Sequence, residues 1–319
     1  MLCGCYDSKE TDSRAYAVSM GADKTDSRLY RITFQIIAPL NIESGVETAF
    51  DIKSEKSPLL NYTVEAQTVD SAIEKADDLI SKKLDLSQLK CLFINKDSLS
   101  NELKNYLSDE KKFRDNIYIV FTEQTAEETM KYAKSPLELN PSKYYETLFS
   151  EKFSQYSSTT YLWEVLNQKN FTVPAFKTTY TGISPDGTYL VKNNEAVHKF
   201  PLDDTLYINI LKRSLKSITL NGKKSVIEKN PCIKNNLDKK SAVISIKLSG
   251  EIEDTKILEN GINKIINLTQ DKKCDAFGLK NSQKKLFPDF SDYKKKSVDI
   301  EDMKYLCKVS FKRTKGFKK

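Results

Sequence analysis

The sequence predicts an α/β (α+β) fold of more than one domain, with mixed β-sheets flanked by helices. Three observations predict it. Strict apolar–polar alternation recurs in both halves of the chain. Apolar residues at helical spacing follow capping signals. The two patterns alternate as strand–helix–strand–helix units. A length of 319 residues fits two or three domains.

Tyr16 to Met20 reads as a strand ending at Gly21. Tyr30, Ile32, Phe34 and Ile36 then alternate with Arg31, Thr33 and Gln35, the pattern of a half-buried strand stopped by Pro39. Residues 41–58 are polar and irregular, and a third strand carries Leu60, Tyr62, Val64 and Ala66. Ser71-Ala72-Ile73-Glu74 has the form of a capping box, opening a helix whose face is Ile73, Ala76, Ile80 and Leu84. Cys91 to Ile94 and Ile117 to Phe121 are short apolar runs expected of central strands. A helix over 98–107 lies between them, and Thr125 caps another. Pro141 suits the first turn of a helix with Tyr144, Leu148 and Phe149 on its apolar side. Thr160 is expected to cap a helix carrying Leu162, Trp163 and Leu166, with Trp163 in the core and Pro174 closing the helical stretch.

The turn-rich run Thr181-Gly182-Ile183-Ser184-Pro185-Asp186-Gly187 places a domain boundary. The division is 1–13 as anchor and linker, 14–182 as mixed α/β, and 183–319 as α+β. Beyond the boundary come strands near Tyr189 and Val197, then a helix over 204–214. A hairpin is marked by Asn221-Gly222, followed by a strand with Ala242, Ile244, Ile246 and Leu248. A helix through Ile257, Ile262, Ile265 and Ile266 and a strand with Tyr305, Cys307, Val309 and Phe311 complete the chain.

Composition narrows the chemistry. Hydrophobic residues make up 39% and charged residues 30%, a folded composition, and no apolar run approaches the roughly 20 residues that span a bilayer. Lys+Arg 51 against Asp+Glu 44 gives +7, with the excess concentrated near the end of the chain. Those lysines read as solvated surface, or more sharply as attraction to anionic lipid headgroups. Aromatic residues lie in strand patterns and do not interleave with a basic patch, so no nucleic acid is expected. His198 is the only histidine, which leaves one candidate for a Ser–His or Cys–His pair and excludes a multi-histidine metal site. It reads as a structural or surface residue of a short strand. The chain has no phosphate-binding loop and no GxSxG turn, and its paired acids, Asp77-Asp78 and Asp203-Asp204, fall on helix surfaces and caps. No enzyme, cofactor or metal is expected. Cys91 and Cys307 read as buried apolar residues, and no disulfide is predicted.

The chain starts Met1-Leu2-Cys3-Gly4-Cys5. Leu2 to Cys5 resembles a bacterial lipobox: small residues suit the peptidase cut, and the thiol of Cys5 would carry the lipid. The charged and apolar segments of a signal peptide are then expected upstream of Met1. The alternatives are a pair of stray cysteines or a metal site built on Cys3 and Cys5, the latter weak with no nearby histidine or further cysteine.

Two stretches together resemble a known family. Gly4-Cys5-Tyr6-Asp7 with Glu10, Gly21-Ala22-Asp23, and Gln35 to Pro39 look like the amino-terminal signature of the Ger(x)C spore-germination lipoproteins. Asp275-Ala276-Phe277-Gly278 and Phe287-Pro288-Asp289-Phe290 resemble that family's carboxy-terminal segment, with Tyr6 and Phe290 where tryptophan is common. The resemblance implies a lipid-bearing Cys5 and several α/β domains. It also implies a non-enzymatic role as the C subunit of a nutrient germinant receptor. Such a subunit sits on the outer face of the spore inner membrane, beside integral-membrane A and B subunits. A lipid-anchored solute-binding protein of a transporter is the alternative. An extracytoplasmic hydrolase using His198 is a third.

Overall fold

The structure is a computed structural model that describes residues 13–37, 59–109, 112–133, 141–149, 155–180, 182–252 and 254–313. It is mixed α/β, with two compact units. The first comprises Met1–Leu148, Thr160–Asn167 and Phe176–Ser184, and the second Phe149–Thr159, Gln168–Ala175 and Pro185–Lys319. Cys5, the polar segment 41–58 and Pro39 lie outside the described residues.

In the first unit β1 (Arg14–Lys24) sits inside the sheet. It pairs antiparallel with β2 (Tyr30–Ile37), which pairs with β3 (Leu59–Ala66). On its other side β1 runs parallel to β4 (Lys83–Asp85) and to β5 (Cys91–Asn95), and β5 runs parallel to β6 (Tyr118–Thr122). The apolar runs are thus central parallel strands, as their lack of alternation implies. Helices α1 (Val69–Leu79), α2 (Asn101–Leu107), α3 (Ala126–Tyr132), α4 (Pro141–Phe149) and α5 (Leu162–Asn167) accompany them.

Several expectations are corrected here. β1 does not stop at Gly21 but continues to Lys24. A Cβ at Gly21 would lie 2.6 Å from Met130 Sδ, so this glycine permits close packing of α3 on the strand. β2 is buried on both faces, Thr33 and Gln35 included, because helix α3 covers the side expected to face water. Helix α1 begins three residues earlier than expected. Thr68 is its cap and Ser71 the reciprocal partner, so Val69, Ala72 and Ala76 face inward and Leu84 belongs to β4. In α4 Phe149 is buried as expected, but its buried aromatic partner is Tyr145, and Tyr144 is only half-buried. Trp163 is 42% exposed, because the six-residue α5 turns Leu162 and Val165 inward.

β7 (Asn170–Thr179) and β8 (Gly182–Lys192) each supply residues to both units. Pro174 does not close a helix but lies within β7, where a proline removes only one ladder donor. The turn-rich run is strand from Gly182 onward. Gly187 has φ 105°, and a Cβ there would meet Phe200 O at 2.1 Å, so that glycine serves close approach to β9 (Glu195–Phe200).

The second unit continues with α6 (Thr205–Leu211) and a four-stranded sheet. That sheet orders β10 (Ser217–Leu220), β11 (Lys223–Asn236), β12 (Ser241–Gly250) and β13 (Lys304–Arg313). Asn221 and Gly222 both take positive φ between β10 and β11, the tight hairpin their pairing implies. Helix α7 (Thr255–Asp271) packs Leu258, Ile262, Ile265 and Ile266 on Ile244, Ile246, Leu248, Cys307 and Val309. The edge amides of Cys307 and Val309 donate to Asn263 Oδ1 and Glu259 Oε1 of that helix, at 2.9 and 2.8 Å. These bonds close an edge that would otherwise be free to pair with another strand. Helix α8 (Phe290–Lys296) precedes β13.

Candidate functional site

Gly21, Asp23 and Gln35, singled out through the resemblance, converge on one helix, α3, whose inner face is Ala126, Thr129 and Met130. The chemistry starts with the helix itself. Its first amides have no partner within the helix and need acceptors. Thr125 Oγ1 accepts from the Glu128 amide at 3.1 Å. Asp23, 3% exposed at the end of β1, supplies its carboxylate to the Ala126 and Glu127 amides at 2.6 and 3.1 Å. A carboxylate also suits the positive end of the helix dipole. Burial pushes the Asp23 carboxyl above its ordinary value, against the pull of those amides and of Arg31.

The other end of α3 is held by Gln35 from β2. Its Nε2 donates to the Met130 carbonyl at 3.1 Å. Its Oε1 accepts from Ser19 Oγ at 3.0 Å and from the Tyr145 hydroxyl. Tyr145 is fully buried, and burial and nearby Cys91 push its hydroxyl well above its ordinary value, so it stays protonated as a donor. Its ring meets Phe93 edge-on, with centroids 6.0 Å apart. Donors and acceptors in this node answer one another, and the Tyr145 hydroxyl also reaches the Ala133 carbonyl at 3.3 Å. The node is a clamp that fixes α3 to β1 and β2. The family resemblance pointed to Asp23 and Gln35 but not to Ser19 and Tyr145. For those residues the signal is a polar atom on an otherwise apolar face.

The second signature is also architectural. Asp275 accepts from the Leu279 and Lys280 amides at 2.7 and 2.9 Å, and Gly278 turns the loop at φ 66°. Burial raises the Asp275 carboxyl despite those amides. Phe290 is 57% exposed, with Lys284 and Lys294 over its ring.

The remaining candidates scatter. His198 sits on β9 with its ring edge-on to Phe200 at 4.7 Å, and burial and the charge of Lys272 lower its affinity for a proton. Asp204 stands at the N-cap position of α6, as expected of a cap residue, but its side chain makes no cap bond. It is buried and paired with Lys264 at 2.7 Å. Asp77 accepts from the Leu84 amide at 2.6 Å. Cys91, Cys274 and Cys307 are buried free thiols, and burial pushes the last two up to about 12. A cleft of about 590 Å³ in the first unit is lined by Asp70, Glu74, Asp77 and the Arg14–Asp85 ion pair. Among the described residues no group of three or more His, Cys, Asp or Glu side chains could hold a metal, and no helix is long and apolar enough to cross a membrane.

The family model described as "Spore germination protein N-terminal domain" matches residues 7–174, just over half of the chain and all of the residues that build the α3 clamp. The chain belongs to the spore germination protein family. Within that family it is similar to "Spore germination protein KC" of Bacillus subtilis (strain 168), with 25% identity over 146 residues. Those residues are 44% of this chain and 35% of that protein, so the match spans about a third of that relative's length. The fold is like that in the crystal structure of the GerBC protein, with a TM-score of 0.53 over 92% of this chain and 96% of that one. At 16% identity that likeness speaks for the fold alone, and it agrees with the mixed α/β architecture expected from the sequence.

Proposed function

We propose that this chain is the lipid-anchored, non-enzymatic C subunit of a spore nutrient germinant receptor. In this reading a diacylglycerol on Cys5 holds it to the outer face of the spore inner membrane. There it works beside integral-membrane A and B subunits. The observation that carries the reading is the family match over residues 7–174, which opens two residues after Cys5. Physical chemistry supports the anchor. One acyl chain binds membranes only marginally, and the two chains of a diacylglycerol provide stable tethering. The α3 clamp supports a role in which the amino-terminal unit holds a fixed surface rather than turning over a substrate.

The test is Cys5→Ala in the gene expressed in its spore-forming host. The protein is expected to leave the membrane fraction, and nutrient-triggered germination is expected to be lost. Retention on the membrane with a normal nutrient response would sink the reading. Calorimetry of the isolated chain with amino acids and sugars separates it from a solute-binding protein, for which tight binding is the expected result.

A further inference from the structure

Among the described residues, the four-stranded sheet of the second unit is covered on one face, by α7. Register fixes what stands on the other. Lys304, Leu306, Lys308, Ser310 and Lys312 of β13 lie beside Ser241, Val243, Ser245, Lys247 and Ser249 of β12. The same face continues on β11 through Lys234, Cys232, Lys229 and Val226. Lys229, Lys234, Lys247, Lys304, Lys308 and Lys312 are all exposed, and none of them forms an ion pair among the described residues. No acidic residue occupies a paired outward position on any of the four strands; Glu228 is the extra residue of a bulge. Leu306 and Val226 are each 49% exposed between the lysines.

We propose that this face is a contact surface for an anionic lipid bilayer. A sheet face of lysines is a plane of positive charge, the complement of a plane of lipid phosphates. Ammonium groups act as point charges and need no fixed partner geometry, which suits a fluid headgroup layer. Half-exposed Leu306 and Val226 supply apolar contact at headgroup depth. The face carries no aromatic side chain on which a base could stack, which disfavours single-stranded nucleic acid. The proposal goes beyond the anchor at Cys5 and is tested without it.

The experiment uses the unlipidated full chain in flotation with vesicles of phosphatidylglycerol and phosphatidylcholine, against vesicles of phosphatidylcholine alone. Binding is expected only to the anionic vesicles and is expected to fall steeply as salt rises from about 0.05 to about 0.5 M. Replacing Lys234, Lys247, Lys304 and Lys308 together by Gln should weaken binding by about tenfold or more. The same change at the exposed Lys284, Lys285, Lys294 and Lys295 should leave it within about twofold. Equal binding to neutral vesicles, or equal loss in the two quadruple variants, would overturn the proposal. So would retention on heparin or duplex DNA without vesicle binding.

Discussion

In the first unit the central strands β5 and β6 are apolar on both faces, and the neighbouring β1 and β2 bring Ser19, Asp23, Thr33 and Gln35 into full burial. In the second unit β12 and β13 alternate, with Ile244, Ile246, Cys307 and Val309 under α7 and lysines on the opposite side. A sheet covered on both sides must satisfy every polar group internally, because no water reaches an unpaired one. A sheet covered on one side can send its polar residues outward at no such cost. The amino-terminal unit is therefore sensitive to single polar substitutions in its interior. The carboxy-terminal sheet tolerates change on its bare face.

The sharpest way to break this comparison is Gln35→Leu. Leucine matches glutamine in size but cannot accept from Ser19 and Tyr145 or donate to Met130. Three buried hydrogen bonds are lost at about 0.5–1.5 kcal/mol each, although Tyr145 keeps the Ala133 carbonyl, the Met130 carbonyl keeps the Ala133 amide, and Ser19 and Tyr145 keep their contact to each other. The expected loss is about 3 kcal/mol by urea unfolding. A loss below about 1 kcal/mol would show that the node is not the clamp described.

Asp23 comes next. Asp23→Ala removes the acceptor of two helix amides and is expected to cost about 2–3 kcal/mol. Asp23→Asn keeps one acceptor and is expected to cost less than half as much. Burial already disfavours the charged carboxylate, and asparagine is neutral. The pH dependence has a definite sign. A raised carboxyl pKa means that the folded chain binds the proton more tightly than the unfolded chain. The contribution of Asp23 is therefore full below the ordinary carboxyl value of 3.8 and is lost as pH rises through the raised value. Stability curves of wild type and Asp23→Asn should converge from acid toward neutral pH. Divergence in that direction would mean that the amides outweigh burial.

How much of this was legible in the sequence follows the same division. Alternation marked the inward and outward residues of β12 and β13 correctly, because one face meets water. Asn221-Gly222 marked its hairpin, because positive φ is a local demand. Alternation misled at β2, where Thr33 and Gln35 look outward yet are covered by α3. Glycine and proline were read as stops at Gly21, Pro174 and the 181–187 run, but strands pass Gly21, Pro174 and 182–187. Tertiary packing decided those positions, and a local signal carries no record of which helix lies above a strand. Asp23 and Gln35 were found through resemblance, whereas Tyr145 required the fold.

The smallest effect expected is at Leu306. Its side chain is 49% exposed on β13, between Lys304 and Lys308, and its neighbour across the ladder is the partly buried Val243. Leu306→Ser gives up contact that was only half made and places a hydroxyl where water already reaches it. The fold should lose no more than about 0.5 kcal/mol. The two neighbours in sequence, Tyr305 and Cys307, point to the opposite side, and the Cys307 amide is tied to α7, so the strand keeps its register when the outward residue changes. A thermal or urea measurement showing more than about 1 kcal/mol would mean that Leu306 is packed against something. The sheet would then be covered on both sides, and the contrast between the units would disappear along with the free surface on which vesicle binding depends.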